Sequence, residues 1–274
     1  MPVMPREKWD SKEQYLEYLR HLAAYKIFAK EYIYSKKSVL EIGCGTGYGA
    51  NYLSKFTTKV IAVDISRENV VYCKEHNKND NIIFIIADGT KLPFQSNRFD
   101  VVISFQVIEH INPKTVMSYL LEIKRVLKEG GIFLCSTPNK KLRLLPFQKP
   151  WNPEHKKEYN CKELKNLLSK VFEEVVVYGL VASEDVLSLE RKRVKQNPFK
   201  VYIVKPFYWV VKNILPNSLL VRLKRNVGSN KHSKKKQRLV EQEFLAEFSL
   251  KNFAIDQSCP DDCLDLLGIC RARR

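Results

Sequence analysis

Five short apolar runs, separated by segments of helical character, dominate the first half of this chain. Continuous apolar strands that alternate with helices are typical of a parallel sheet covered on both faces. The sequence therefore predicts an α/β fold with a doubly wound, mostly parallel sheet. The predicted strands are 39–43, 59–64, 82–88, 99–105 and 131–138, and the predicted helices between them are 46–55, 66–77 and 113–128.

The remaining segments flank this sheet. Residues 11–33 have the apolar spacing of an amphipathic helix. Asn112 and Pro113 are the residue types expected at the N-cap and first position of the helix over 113–128. Beyond the fifth strand we predict a helix at 161–170 and further strands at 172–179, 252–257 and 263–271. The predicted division is 1–35 (an N-terminal helical segment), 36–182 (the α/β domain), 183–250 (a basic helical, amphipathic insertion before the last strand) and 251–274 (C-terminal strands that complete the sheet).

A glycine-rich segment stands where the first predicted strand meets the first predicted helix. Its sequence is Glu41-Ile42-Gly43-Cys44-Gly45-Thr46-Gly47-Tyr48-Gly49. In open α/β sheets, ligands bind beyond the carboxyl ends of the strands. Glycine at such a point permits positive φ and lets a ligand lie directly on the backbone. The density of glycines favours a ligand site over a simple tight turn.

Acidic residues beside these glycines restrict which class of ligand can bind. Asp64 ends the second strand, where a carboxylate can accept hydrogen bonds from ribose hydroxyls. NAD would use the same contact, and Gly45-x-Gly47-x-x-Ala50 fits the permissive dinucleotide pattern. Asp88, followed by Gly89, ends the third strand and can accept from an adenine amino group. Glu41 would repel a pyrophosphate but attract a sulfonium or an ammonium. NAD remains the alternative ligand at this point.

Together these motifs resemble the class I S-adenosylmethionine-dependent methyltransferases. The similarity is to the small-molecule branch that includes ubiquinone/menaquinone-type methyltransferases and methyltransferases of surface-glycan pathways. The matching segments, in the order and spacing of the family, are VLEIGCGTGYG (39–49), VIAVD (60–64), IIADGTKLPF (85–94), FDVVISFQVIEHI (99–111), VLKEGGIFLCSTPN (126–139) and NPEHKKEY (152–159).

The resemblance implies S-adenosyl-L-methionine as the cofactor, with one role for each matching residue. Glu41 would add negative charge near the cationic cofactor. The other implied contacts are Gly43, Cys44 and Gly45 to the methionine end, Asp64 to ribose, Ile65 to the adenine face, Asp88 and Gly89 to the adenine edge, and Phe105 and Gln106 beside the sulfonium.

Two histidines are candidates for catalysis. A hydroxyl nucleophile requires a base that titrates near neutral pH. His110 follows the fourth strand on the cofactor side, and His155 follows the fifth strand, where a substrate loop is expected. A structural hydrogen bond for His110 and a loop or N-cap role for His155 are the alternatives. Cys259, Cys263 and Cys270 have no histidine near them in sequence, so no metal site is predicted.

The positive charge of the chain is concentrated in one segment. The net charge is +17, and residues 191–240 contribute +15 of it, because they contain 15 Lys or Arg and no Asp or Glu. Aromatic and aliphatic residues alternate with these cations, which suits a lid over the substrate, a helix in a membrane interface or, as the less favoured partner, a nucleic acid.

These observations favour an O-methyltransferase acting on a small molecule, a glycan or a lipid-linked intermediate. The sequence has no NPPY-like motif of amino-group methyltransferases after the fourth strand, where it has Ser104-Phe105-Gln106. An RNA methyltransferase and an NAD-dependent oxidoreductase are the alternatives. We expect a cytoplasmic location, because no run of about 20 apolar residues is present, with peripheral contact at the inner membrane face through 191–240 as a further hypothesis.

Overall fold

The computed structural model of the chain describes residues 12–33, 38–146, 148–150, 152–194 and 248–272. These residues form an 8-stranded sheet flanked by helices. The strands are β1 (Ser38–Ile42), β2 (Lys59–Asp64), β3 (Ile82–Ile86), β4 (Phe99–Phe105), β5 (Leu127–Pro138), β6 (Glu174–Ala182), β7 (Phe253–Asp256) and β8 (Asp265–Arg271). The helices are α1 (Lys12–Ala23), α2 (Tyr48–Leu53), α3 (Arg67–His76), α4 (Val116–Val126), α5 (Lys140–Arg143), α6 (Cys161–Leu168) and α7 (Glu184–Val194).

The strand order confirms the predicted doubly wound fold. The order across the sheet is β3-β2-β1-β4-β5-β8-β6-β7. Strands β1 to β5 pair in parallel, β8 runs antiparallel to both β5 and β6, and β7 runs antiparallel to β6. The direction in which the sheet grows reverses between β1 and β4. Ligands of open α/β sheets bind at such a switch point, beyond the carboxyl ends of the strands.

The two central strands are buried on both faces. In β1, Val39 packs into one apolar layer and Leu40 into the other, and neither side chain is exposed to solvent. In β4, Val101 and Ile103 belong to the first layer and Val102 to the second. Successive side chains of a strand point to opposite faces. A strand covered on both faces is therefore apolar throughout, which explains the continuous apolar runs in the sequence.

The N-terminal segment is helical as predicted, but its pitch changes. Helix α1 continues as a π-helical stretch, Ala24–Phe28, and then as a 3-10 stretch, Ala29–Tyr32. The predicted helix over 11–33 is therefore confirmed from Lys12 to Tyr32, with changes of pitch that the sequence did not predict. Widened π turns often occur at functional sites. Here the π-helical stretch buries Tyr25 edge-on against Phe105, at the end of β4, with ring centroids 4.8 Å apart.

Asn112 closes a turn before α4 instead of capping the helix. Its Oδ1 accepts the amide N–H of Lys114 at 2.9 Å, and its carbonyl oxygen accepts from the amides of Thr115 and Val116. The prediction that the helix begins at Pro113 is therefore wrong, because the favourable side-chain hydrogen bond of Asn112 stabilises a separate turn that ends where α4 begins.

Strand β5 begins earlier than the sequence predicts. Leu127, placed in the helix over 113–128, pairs instead with Phe99 of β4, and a register shift follows before Val101 pairs with Ile132. Pairing across the sheet outweighed the local helical pattern here. The predicted terminal strands at 252–257 and 263–271 are confirmed as β7 and β8, each slightly shorter than predicted.

The structure describes only the two ends of the predicted basic insertion, residues 183–250. Within 183–250 it describes α7 and a 3-10 turn at Leu250–Asn252, whereas residues 195–247 lie outside the described residues. The lid, membrane and nucleic-acid interpretations of 191–240, and the predicted domain limits, therefore stay predictions. No helix in the described ranges is both long and apolar enough to cross a bilayer.

Candidate active site

The glycine segment, residues 43–49, turns from β1 into α2 at the carboxyl edge of the sheet. The amide N–H groups of Gly43 and Cys44 both donate to the carbonyl oxygen of Val63, at 2.8 and 3.1 Å, so the segment bends across the end of β2. A β-carbon on Gly43 would overlap the side chain of Val107. Three glycines adopt left-handed φ angles: Gly43 (76°), Gly45 (53°) and Gly47 (79°).

Asp64 ties this segment to β2. Its Oδ2 accepts the amide N–H of Gly45, and its Oδ1 accepts that of Ser66, both at 2.8 Å. A carboxylate offers about four acceptor sites. Asp64 can therefore hold the glycine segment in place and still accept from two ribose hydroxyls. The sequence predicted the ribose contact but not this structural role.

The residues assigned to adenine lie at the same edge of the sheet. Ile65, directly after Asp64, is 72% exposed, an unusual state for an isoleucine that suits contact with an apolar ring face. Asp88 follows β3 and is exposed, and its Oδ1 accepts from the amide and hydroxyl of Thr90 at 2.8 Å. Gly89 packs closely on the ring of Tyr119. Asp64 and Asp88 share this edge because β2 and β3 pair in parallel.

Glu41 is fully buried beneath the glycine segment. Its Oε1 accepts the hydroxyl proton of Tyr25 at 2.6 Å, while its Oε2 has no hydrogen-bond partner among the described residues. Burial raises the pKa of Glu41 to about 7, although the hydrogen bonds from Tyr25 and the Ala50 amide oppose the rise. A β-carbon on Gly49 would overlap both partners of this pair. Tyr25 is a site residue that the sequence did not identify.

Phe105 and Gln106 stand at the end of β4, beside the glycine segment in the sheet order. Phe105 is buried against Tyr25. Gln106 has a left-handed φ of 56°, which is uncommon for a residue other than glycine and often marks a functional position. Its Nε2 donates to the hydroxyl of Ser136 in β5 at 3.2 Å. The predicted position of both residues beside the sulfonium stays a prediction.

The two candidate catalytic histidines meet in space. We call Glu109, His110 and His155 the histidine cluster. The rings of the two histidines lie 4.8 Å apart at 87°, and one oxygen of Glu109 and one nitrogen of each histidine all lie within 4.8 Å of one another. The carbonyl oxygen of Glu109 accepts the amides of Lys156 and Lys157, at 2.7 and 3.2 Å. These two backbone bonds hold the loop after β5 against the loop after β4.

Buried polar groups orient the cluster. Nδ1 of His155 lies 2.7 Å from Oε1 of Glu158, a buried carboxylate 3.5 Å from the guanidinium of Arg143. Oε2 of Glu109 accepts from the hydroxyl of Thr137 at 2.9 Å. Burial raises the pKa of Glu109 to about 7, and burial followed by the neighbouring His155 lowers the pKa of His110. The sequence missed Thr137 and Glu158. The three-residue spacing from His155 to Glu158 was the available signal for the latter.

Comparison with known proteins distinguishes between S-adenosylmethionine and NAD, the two ligands that the glycine pattern allowed. Residues 40–135, which contain the glycine segment, both strand-end aspartates and Glu109, match the family described as "Methyltransferase domain". Over 132 residues the chain is 36% identical to the "probable S-adenosylmethionine-dependent methyltransferase" of Mycolicibacterium smegmatis, covering 48% of this chain and 50% of that protein. Residues 40–135 therefore form a methyltransferase domain, and the relatives that share this domain are named S-adenosylmethionine-dependent.

A second relative of this methyltransferase domain has a more specific name. It is the phthiotriol/phenolphthiotriol dimycocerosates methyltransferase of Mycobacterium tuberculosis, 31% identical over 115 residues, which are 41% of this chain and 42% of that protein. The chain spans about half the length of its first curated relatives. Among solved structures, a SAM-dependent methyltransferase from Archaeoglobus fulgidus matches 95% of this chain and 94% of its own, with a TM-score of 0.51 and 18% identity. That match shows a shared fold.

The described residues of the methyltransferase domain fit its cofactor, S-adenosylmethionine. The cofactor carries an ammonium and a sulfonium, and Glu41 offers a buried carboxylate oxygen without a partner among the described residues. A buried charge without a partner is costly, and a nearby cation offsets that cost. Ile65 supplies an exposed apolar surface, and Asp64 retains acceptor capacity. These features do not match the pyrophosphate of NAD, the alternative ligand.

We expect the free energy of unfolding of the cofactor-free protein to decrease as the pH rises from about 4.5 to about 7. Glu41 has a pKa of about 7 in the fold and 4.5 as its ordinary value, so between these values the unfolded chain loses a proton that the folded protein keeps. The destabilisation is absent below the lower pKa and complete above the higher one, at roughly 3 kcal/mol at most.

Urea unfolding at a series of pH values measures this effect. Glu41→Gln is the matched variant, because it keeps an acceptor for Tyr25 but cannot ionise. The buried Glu109 titrates in both proteins, so the difference between their pH profiles isolates Glu41. Parallel profiles for the wild type and Glu41→Gln would show that Glu41 ionises normally in the fold.

Proposed function

We propose that this protein transfers the methyl group of S-adenosylmethionine to a hydroxyl oxygen of a lipid-linked or lipid-like acceptor. The observation that carries the proposal is the histidine cluster, which lies in the loops after β4 and β5, at the same edge of the sheet as the glycine segment. A hydroxyl is a weak nucleophile until its proton is removed. Two imidazoles and a buried carboxylate at this edge are suited to assist that removal.

The cofactor, when bound, supplies a methyl group on a sulfonium that is a good leaving group. The chain has to hold the cofactor, align the acceptor oxygen with the methyl carbon and exclude water, and such positioning can contribute roughly 7–11 kcal/mol. The proposed cofactor contacts are Glu41, Gly43, Cys44, Gly45, Asp64, Ile65, Asp88, Gly89, Phe105 and Gln106.

His155 and His110 are the proposed catalytic residues. Nδ1 of His155 contacts Glu158, and one ring nitrogen of His155 lies within 4.8 Å of a carboxylate oxygen of Glu109 and of a ring nitrogen of His110. An imidazole oriented by a carboxylate in this way is the usual arrangement of a group that acts on a substrate proton. The lowered pKa of His110 favours its neutral form near neutral pH.

Two observations favour a lipid-like acceptor over a hydrophilic one. A relative of the domain is named for phthiotriol and phenolphthiotriol dimycocerosates, which are lipids. Residues 191–240, which lie largely outside the described residues, combine 15 cations with aromatic and aliphatic side chains, a composition suited to an anionic membrane surface. Each cation near such a surface contributes about 1 kcal/mol. The proposed location is accordingly cytoplasmic, with peripheral contact at the inner membrane face.

Methyl transfer from radiolabelled S-adenosylmethionine to fractionated extracts of the source organism tests this function. The full-length protein is incubated separately with the lipid, hydrophilic small-molecule and RNA fractions. We expect label in the lipid fraction, lost with Asp64→Ala, and a product whose mass spectrum places the methyl group on oxygen. Label confined to RNA or to hydrophilic compounds would reject the lipid acceptor, and a methyl group on nitrogen or carbon would reject the hydroxyl.

A further inference from the structure

We propose that Glu109, His110 and His155 form a binding site for one divalent transition-metal ion. The three residues offer one carboxylate oxygen and two imidazole nitrogens, all within 4.8 Å of one another. Three protein ligands of this kind, with further positions left open, are typical of catalytic zinc sites and of two-histidine, one-carboxylate sites for other transition metals. The expectation that the chain has no metal site considered only the cysteines, and His155 lies in a different loop from Glu109 and His110.

An independent observation also favours a cation at the same place. Glu109 is fully buried, and its Oε1 has no hydrogen-bond partner among the described residues. Its other oxygen, Oε2, accepts from Thr137. A buried carboxylate oxygen without a partner is unfavourable. A metal ion bound by Oε1 would compensate for the loss of hydration.

Each ligand also has the outer partner that metal sites usually require. A ligand histidine commonly places its second ring nitrogen against a carboxylate or a backbone carbonyl, which fixes the tautomer and the ring orientation. His155 meets Glu158 in this way, at 2.7 Å. The ring of His110 lies close to the backbone of Glu154. One nitrogen of each ring lies within 4.8 Å of the other two ligand atoms, where a metal ion could bind it.

The spacing of the ligand atoms suits an ion between them better than direct hydrogen bonds. Ligand atoms around a zinc ion lie roughly 3–4 Å apart, because each bond is about 2.0–2.3 Å long. The three atoms here lie within 4.8 Å of one another, so side-chain shifts of about 1 Å would close the site. Among the described residues, no hydrogen bond joins the side chain of Glu109 to either imidazole.

The role of the metal in catalysis depends on the function proposed above, methyl transfer to a hydroxyl oxygen. An open position on the ion would bind the acceptor's hydroxyl oxygen and lower the pKa of that hydroxyl. The proton passes to solvent, the oxygen uses the electron pair of the former O–H bond to bond the methyl carbon, and the carbon–sulfur pair returns to sulfur. His155 is then a metal ligand instead of the proton acceptor, because both roles would use the same lone pair of its imidazole.

Cobalt(II) titration of the full-length, chelator-treated protein tests the site without any turnover. We expect one Co2+ per chain, visible absorption bands typical of nitrogen and oxygen ligands, and displacement by Zn2+. His155→Gln and Glu109→Gln should weaken Co2+ binding at least about 100-fold, and Glu158→Gln, which removes only the outer partner, should weaken it about tenfold. The control is His76→Gln, since His76 is an exposed histidine on α3 stacked on Tyr72.

Circular dichroism and S-adenosylhomocysteine binding establish that each variant is folded. No Co2+ binding by the wild type, unchanged binding in the folded ligand variants, or a sulfur-to-cobalt band that places the ion on cysteines would overturn the proposal. The experiments can reject the proposed function and the role of the metal independently. Metal binding without lipid methylation would reject only the function, whereas lipid methylation that survives complete removal of metal would reject only the part of the metal in catalysis.

Discussion

Replacing Asp64 with alanine is expected to weaken binding of S-adenosylhomocysteine, the demethylated cofactor, by at least about 100-fold. The change removes the acceptors proposed for the ribose hydroxyls and also the two backbone bonds, to Gly45 and Ser66, that hold the glycine segment at the end of β2. Hydrogen bonds to a charged group contribute about 1.5–3 kcal/mol each, and every 1.4 kcal/mol is a tenfold change in affinity. Isothermal titration calorimetry measures the effect.

The matched control for this variant is Asp256→Ala. Asp256 also ends a strand and accepts a backbone amide, that of Ser258 at 2.7 Å. It lies in β7, however, which is the outermost strand on the side of the sheet far from β2 and β3. Its loss should leave cofactor affinity unchanged. If Asp64→Ala keeps its melting temperature and binds S-adenosylhomocysteine within a few-fold of the wild type, the cofactor does not use this carboxylate.

The second large effect is expected for His155→Ala, in turnover and not in cofactor affinity. The side chain of His155 contacts His110 and Glu158, and neither belongs to the proposed cofactor contacts. Loss of a group that assists proton removal lowers turnover by about 10²–10⁴-fold. The measurement compares methyl transfer to the labelled lipid fraction with the Kd for S-adenosylhomocysteine. His76→Ala, a change at an exposed histidine, should alter neither.

An unchanged rate for His155→Ala would remove this residue from the proposed mechanism. A parallel loss of cofactor affinity would indicate that the loop after β5 supports the cofactor site instead. The experiment does not depend on whether His155 accepts a proton or binds a metal, because alanine removes both capacities. The cobalt titration separates those two roles.

The sequence alone was sufficient for the sheet and for one half of the site. Strand periodicity is local, so the five parallel strands were predicted close to their observed positions. Gly43, Asp64 and Asp88 could be placed at one edge because each follows a strand, and the carboxyl ends of parallel strands share an edge. Element ends were less predictable. Leu127 continues a helical pattern along the chain, yet its pairing with Phe99 in the neighbouring strand makes it the start of β5.

The tertiary structure alone decided which distant side chains meet. Tyr25, which bonds Glu41, lies in the π-helical stretch of the N-terminal segment, and no periodicity in the sequence predicted that change of pitch. His110 and His155 were identified one by one, but only the folded chain, in which backbone bonds join their loops, brings them together with Glu109. Local patterns determine strands and turns because neighbouring residues interact directly. The state of a buried carboxylate depends on solvent exclusion and on partners from other elements, which exist only in the folded chain.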